Sequence, residues 1–131
     1  MMAVKKVLVV DDEIHIVHVV AIKLRNNGYE VLTAENGEQA YEIADAEKPD
    51  IIVTDCQMPV MSGLELVEKL RSDEELKNIP VIMLTARSFD IDDDLKQQLD
   101  ISQCLSKPFS PKELLRDIED VLFSKAANIQ A

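Results

Sequence analysis

Ile51-Ile52-Val53-Thr54-Asp55-Cys56-Gln57-Met58-Pro59-Val60-Met61-Ser62-Gly63-Leu64-Glu65 is the stretch on which the fold turns. It opens with a continuous apolar run, Ile51-Ile52-Val53, which is what a strand covered on both faces demands. The run ends on a carboxylate, Asp55. After a Pro-containing loop, Ser62-x-x-Glu65 is a capping box, in which a serine side chain and a glutamate three residues on satisfy each other's backbone N–H groups at a helix start. A buried strand, a loop and a helix therefore follow one another within 21 residues, 51–71.

The same alternation extends in both directions. Short β-branched runs occupy residues 4–10, 30–33, 51–54 and 81–84, and a weaker one, 101–105, ends just before Lys107-Pro108. Between them, residues 14–27, 38–47, 64–71, 91–99 and 111–123 carry helical spacing. Ser110-x-x-Glu113 is a second capping box with Pro111 at the first helical position, and Gly28 stands where a left-handed cap would close the first helix. Five strands alternating with five helices predict an α/β, doubly wound five-stranded parallel sheet with helices on both faces. There is no repeat, low-complexity tract or linker, and residues 1–124 read as one domain, with 125–131 as a C-terminal tail that extends the last helix or frays.

Composition bounds the function. The chain has 131 residues, 25 acids against 14 bases and a formal charge of −11. At this length one domain can bury roughly two-thirds of its unfolded surface and needs no disulfide or zinc staple. A pI near 4.5 repels phosphate backbones and anionic lipid, so neither nucleic acid nor a membrane is the expected partner. Val7 to Val10 meets Asp11-Asp12-Glu13 before a signal-peptide core would be complete, and the isolated Cys56 and Cys104 fit a reducing compartment. A cytoplasmic location is the expectation.

Three acids stand apart from ordinary helix surface. Asp11 and Asp12 follow the first strand and Asp55 follows the third, so all three lie at carboxyl ends of strands, where open parallel sheets bind ligands. If those strands are neighbours, the carboxylates converge and at least one pKa rises unless a cation sits among them. An all-oxygen set suits a hard ion such as Mg²⁺. Thr85 closes the fourth strand with a hydroxyl, and Lys107 follows the fifth with a point charge. Pro108 comes next, and X-Pro bonds are the ones able to adopt cis. Acids, hydroxyl, metal and lysine together describe a phosphoryl-transfer site.

Asp11-Asp12, the run from Asp55 through Met58-Pro59 and Met61 to Gly63, Thr85-Ala86 and Lys107-Pro108-Phe109 closely resemble the receiver domain of two-component response regulators, over about residues 4–124. The resemblance implies a flavodoxin-like (βα)5 fold with strand order 2-1-3-4-5. It implies that Asp55 accepts a phosphoryl group from phosphohistidine, that Asp12 binds Mg²⁺ directly, Asp11 mainly through water and Gln57 through its backbone carbonyl. Lys107 would pair with the acyl phosphate and Thr85 would move to hydrogen-bond it, beside a small Ala86 that leaves room. The expected role is a signalling switch, not an enzyme, that assists only its own phosphorylation and dephosphorylation. A histidine kinase or phosphotransfer protein would dock on Ile16, Val19, Pro108 and Phe109, and the downstream protein is unnamed. Gln57 and Arg87 hold positions that tune dephosphorylation in this family.

Two departures are plain. Cys104 stands where many members carry an aromatic that swings inward, so an aromatic rotamer switch is excluded. Asp100-Ile101 replaces the usual Gly-Ala before the fifth strand. The chain stops without an output domain, which suggests either a relay module or a receiver excised from a multidomain regulator or hybrid kinase. A Mg²⁺-dependent aspartyl-phosphate hydrolase is the enzymatic alternative, but it should carry a second acid two residues after the nucleophile, where Gln57 stands. A flavodoxin-like cofactor carrier would wrap phosphate in a Ser/Thr/Gly-rich loop, and Asp11-Asp12 would repel that phosphate.

Other residues have plainer readings. His15 and His18 read as solvated or packed rather than as zinc ligands, Cys56 as a small buried apolar residue rather than a redox sensor, and the acids from Asp90 to Asp94 as partners of a helix dipole. On the first helix Ile14/Val17/Ala21/Leu24 and Ile16/Val20/Leu24 both qualify as the buried stripe, so one is surplus.

Overall fold

The period-two alternation of side chains along a strand sorts the apolar runs onto two faces. In this computed structural model, which describes residues 4–86 and 91–130 and the side chains up to Phe123, β1 (Lys6–Val10) sends Val7 and Val9 to one face and Leu8 and Val10 to the other. The chain continues through α1 (Ile14–Arg25), β2 (Glu30–Ala34), α2 (Gly37–Glu47), β3 (Ile51–Asp55), α3 (Gly63–Arg71), β4 (Val81–Thr85), α4 (Asp93–Gln98), β5 (Gln103–Ser106) and α5 (Pro111–Gln130). The five strands form one parallel sheet in the order β2-β1-β3-β4-β5. One core lies under α1 and α5, where Val9, Val53, Ile82 and Leu84 meet Leu24, Leu114 and Ile118. The other, on the opposite face, joins Leu8, Ile52 and Met83 to Ala40, Leu66 and Leu70. The three central strands are buried on both sides, as their unbroken apolar sequences require.

Helix ends follow the sequence signals in chemistry more closely than in position. Ser62 and Glu65 make both bonds of the capping box, and Ser110 Oγ accepts from the Glu113 N–H. Gly28, at φ +91°, sits in a Schellman closure: its N–H donates to Arg25 and that of Tyr29 to Leu24. Expected bounds shift where tertiary contacts decide them. β1 begins at Lys6, leaving Val4 exposed. α4 begins at Asp93 because Asp92 caps it, its side chain accepting from the Leu95 N–H, with Asp93 and Asp94 in the first turn. β5 is Gln103–Ser106; Ile101 is buried ahead of it as a plug rather than as a strand residue. On α1 the buried stripe is Val20, Ala21 and Leu24, while Ile14 is 57% exposed, because the helix rolls that edge away from the sheet. The backbone of α5 reaches Gln130, but the side chains of the expected tail, 125–131, lie outside the described residues, as do Asp90 and Arg87. No described helix is long and apolar enough to cross a membrane.

Three non-glycine residues among those described lie in the left-handed region: Lys48, which closes α2 at φ +49°, and Val60 and Asp100 in two further loops. Val60 has φ +70°, and the Met61 N–H donates to the Pro59 carbonyl two residues back, so this β-branched residue centres a strained γ-turn of positive φ. Asp100, at φ +52°, stands where the receiver resemblance leads one to expect glycine. A short polar side chain tolerates that conformation best, and its carbonyl has a dedicated partner. The Arg71 guanidinium, half-buried at the end of α3, donates to the carbonyls of Leu99 (2.8 Å), Lys77 (2.8 Å), Ile79 (2.8 Å) and Asp100 (3.1 Å). It ties three segments together beneath α4, a helix with no buried residue of its own.

Arg71→Met removes the donors from four carbonyls at once, those of Leu99 and Ile79 part-buried. A loss of about 2–3 kcal/mol is expected, seen as a lower urea midpoint at unchanged slope, and Lys should restore little because an ammonium cannot span the four acceptors.

Candidate functional site

Because the strands are parallel and in near register, their carboxyl ends form one edge, and the loops leaving it carry the polar residues. Val10 pairs with Thr54 and Asp55 with Leu84, so Asp11, Asp12 and Asp55 emerge side by side from β1 and β3. One carboxylate oxygen from each lies within 4.8 Å of the others. Thr85 pairs with Ser106, which places Lys107 across the end of β4; the Lys107–Pro108 bond is cis. The cleft between them holds about 380 Å³ and is lined by Asp12, Asp55, Gln57, Thr85 and Lys107 with Glu13.

Burial differs sharply within the acid trio. Asp11 is fully buried and Asp55 nearly so, whereas Asp12 is exposed. Asp11 Oδ1 accepts from the Glu13 N–H at 2.9 Å. Its Oδ2 lies 2.9 Å from Lys107 Nζ but off the hydrogen-bond line, a buried oxygen without a hydrogen bond among the described residues. Asp55 Oδ1 accepts from the Cys56 N–H at 2.9 Å and lies 3.5 Å from Lys107 Nζ. An orphaned oxygen among three clustered carboxylates is the donor set of a hard divalent cation.

The electrostatics follow from this crowding. Burial first, and then the charge of Asp11, push Asp55 up to about 6, against the opposing pull of Lys107 and the Cys56 N–H. For Lys107, burial alone would favour the neutral amine, but its short contacts to Asp11 and Glu13 and the fields of Asp11 and Asp55 outweigh it and raise its pKa. Glu13 was not among the residues singled out from the sequence. Its Oε1 accepts from Lys107 at 3.0 Å, and that bond holds its carboxyl below the ordinary range. The signal was present as the third acid of Asp11-Asp12-Glu13, but pairing across 94 positions is invisible without the sheet.

Gly63 is needed for a reason unrelated to its own φ. A Cβ there would lie 2.0 Å from the Asp55 carbonyl oxygen, because the Gly63 N–H donates to the Cys56 carbonyl at 2.9 Å and draws α3 onto the end of β3. Gly37 is pressed in the same way against Met61. The expected docking residues also assemble: Ile16, Val19, Pro108 and Phe109 line a groove of about 480 Å³ that reaches Lys107 and Ala86. The histidines join no metal set, since Asp11, Asp12 and Asp55 are the one cluster of ligating side chains among the described residues. His15 faces Glu13 at 3.8 Å. Cys56 is buried, and Cys104 is half-buried against the α3-side core.

Residues 7–119 match the family model described as the response regulator receiver domain. The chain is 40% identical over 118 residues to the alkaline phosphatase synthesis transcriptional regulatory protein PhoP of Bacillus subtilis, covering 90% of this chain and 48% of that protein. It spans about half the length of the curated regulators it matches. The chemotaxis response regulator CheY4 of Vibrio cholerae superimposes with a TM-score of 0.85 at 37% identity, over 92% of this chain and 100% of that one. The receiver domain of a sensor histidine kinase of Pseudomonas aeruginosa, with a magnesium ion coordinated in its active-site cleft, does so at 0.77 and 32%, over 87% and 93%.

Two measurements probe this geometry. Gly63→Ala should lose about 2–3 kcal/mol, at the upper end of the usual overpacking range because the clash is with backbone, read as a fall in the urea midpoint. Asp55 binds its proton more readily folded, at about 6, than its ordinary value of 3.8, so the folded chain carries the extra proton between those values and stability falls as pH rises through them. In magnesium-free buffer Asp55→Asn should be the more stable protein by roughly 2–3 kcal/mol at pH 7.5, with the gap closing toward pH 4.

Proposed function

Since the chain belongs to the response regulator receiver domain family, we propose that Asp55 accepts a phosphoryl group from a phosphohistidine and that the resulting acyl phosphate switches partner binding. The observation that carries this is the placement of three carboxylates within 4.8 Å of one another beside the Lys107 ammonium. Receiver domains are signalling switches, and this one acts on no substrate beyond its own aspartate.

Both described contacts of the Asp55 carboxylate fall on Oδ1, so Oδ2 is the attacking oxygen. It forms the O–P bond as the N–P bond of phosphohistidine breaks, and the imidazole leaves. A loose phosphoryl transition state gains little from covalent help and much from positioned positive charge. Lys107 supplies one positive charge, 3.5 Å from Asp55. The carboxylates of Asp12, Asp11 and Asp55 with the Gln57 carbonyl would hold Mg²⁺, which when bound neutralises the phosphoryl oxygens. A bound divalent charge would relieve both the Asp11 oxygen that lacks a hydrogen bond and the elevated Asp55 pKa. Thr85, at the end of β4, turns its hydroxyl to the phosphoryl group. With Cys104 in place of an aromatic, α4 responds rather than a swinging ring, and it is suited to this because it has no fully buried residue and meets the core through half-buried Leu95.

The phosphodonor, a histidine kinase or phosphotransfer protein, docks on the groove of Ile16, Val19, Pro108 and Phe109, which opens onto the cleft through Lys107. The receiver unit is residues 1–124, and the two free cysteines suit a cytoplasmic setting.

Incubation with acetyl phosphate and Mg²⁺ should add one phosphoryl group by intact mass, and Asp55→Asn should abolish the gain. Equal labelling of the Asn variant would show the phosphoacceptor to be another residue.

A further inference from the structure

Lys107 is closer to other acids than to the residue it is meant to serve. Its ammonium lies 2.9 Å from Asp11 Oδ2 and 3.0 Å from Glu13 Oε1, but 3.5 Å from Asp55 Oδ1. An ammonium has three donors in all. The Glu13 contact takes one of them, and the short Asp11 contact holds the nitrogen back from the phosphoacceptor.

Glu13 is placed unusually for this work. It is the N-cap residue of α1, where a short polar side chain would bond the first free N–H groups, yet its side chain makes no cap bond. It crosses the cleft to a lysine 94 positions away. Its carboxylate is about half exposed, at 47%, against 15% for Lys107, so it can leave for solvent without an uncompensated burial penalty, whereas Asp11 cannot. Of the two acids holding Lys107, one is a fixed floor and the other a movable rim.

We propose that Glu13 is a positioning residue that holds Lys107 in the unphosphorylated state and yields it to the phosphoryl group. Glu13 competes with phosphoryl oxygens for the same donor, so it weakens the hold of the cleft on its product and keeps the switch reversible. This rests on the reading of Asp55 as phosphoacceptor and adds a residue to it. No covalent step involves Glu13.

The test is the affinity for beryllofluoride, a phosphoryl mimic, measured by calorimetry in the presence of Mg²⁺ on the wild type, Glu13→Gln, Lys107→Gln and the double variant. Glu13→Gln should bind about two- to fivefold more tightly than wild type, the range for a partly exposed ion pair, and the gain should vanish when Lys107 is already Gln. Such coupling is what a double-mutant cycle isolates. Equal affinity of Glu13→Gln and wild type overturns the proposal, and so does an equal gain with and without Lys107, which would mean that Glu13 acts only as bulk negative charge. A wild type that takes up no beryllofluoride overturns the phosphoacceptor reading itself, and this proposal with it.

Discussion

Three carboxylates at the ends of two adjacent strands repel one another, and the structure around them is arranged so that the repulsion is contained without being removed. In water such charges would be nearly indifferent to each other. Here Asp11 is fully buried and Asp55 nearly so, and the desolvation of Asp55, with the charge of Asp11 added to it, pushes its pKa up to about 6. Lys107 is the counterweight, but one ammonium shared among Asp11, Glu13 and Asp55 cannot neutralise all of them. A residual negative potential is therefore left in the cleft.

Everything that positions these groups is apolar and rigid. The two cores on either face of the sheet clamp β1, β3 and β4 so that their ends share one edge, and parallel register then sets the spacing of the polar residues. Gly63 lets α3 approach the Asp55 carbonyl, and Gly37 lets α2 approach Met61, so the loop bearing Asp55 is held from two sides. The opposite end of the switch is looser. α4 depends on its flanks, Ile91, Leu99 and Ile101, and on the Arg71 guanidinium beneath it. A tightly held site next to a lightly held helix is the physical form a switch takes, since only an element near the low end of local stability can be redistributed by one phosphoryl group.

Much of this was legible before any coordinates. Unbroken runs such as Ile51-Ile52-Val53 announced strands covered on both faces, and capping chemistry at Ser62 and Ser110 placed helix starts closely. Where expectation and structure part, the reason is tertiary. Ile101 has a strand former's chemistry but serves as a plug, because Asp100 turns through the left-handed region just before it. Ile14 belongs to an apolar stripe by spacing and is exposed by the roll of α1. Asp92, read as a member of a helical run, caps the helix instead.

By itself the sequence determined the order and type of the elements, the three aspartates, hydroxyl and lysine at the strand ends, and the class of chemistry they support, because these depend on local periodicity and on residue types at strand ends. Only the tertiary structure decided how Lys107 divides itself among three acids, that Glu13 is one of them, why Gly63 admits no side chain, and how Arg71 anchors the end of α4. Each of these is a contact between residues far apart in the chain. Their distances are set by sheet register and core packing, and no local pattern encodes them.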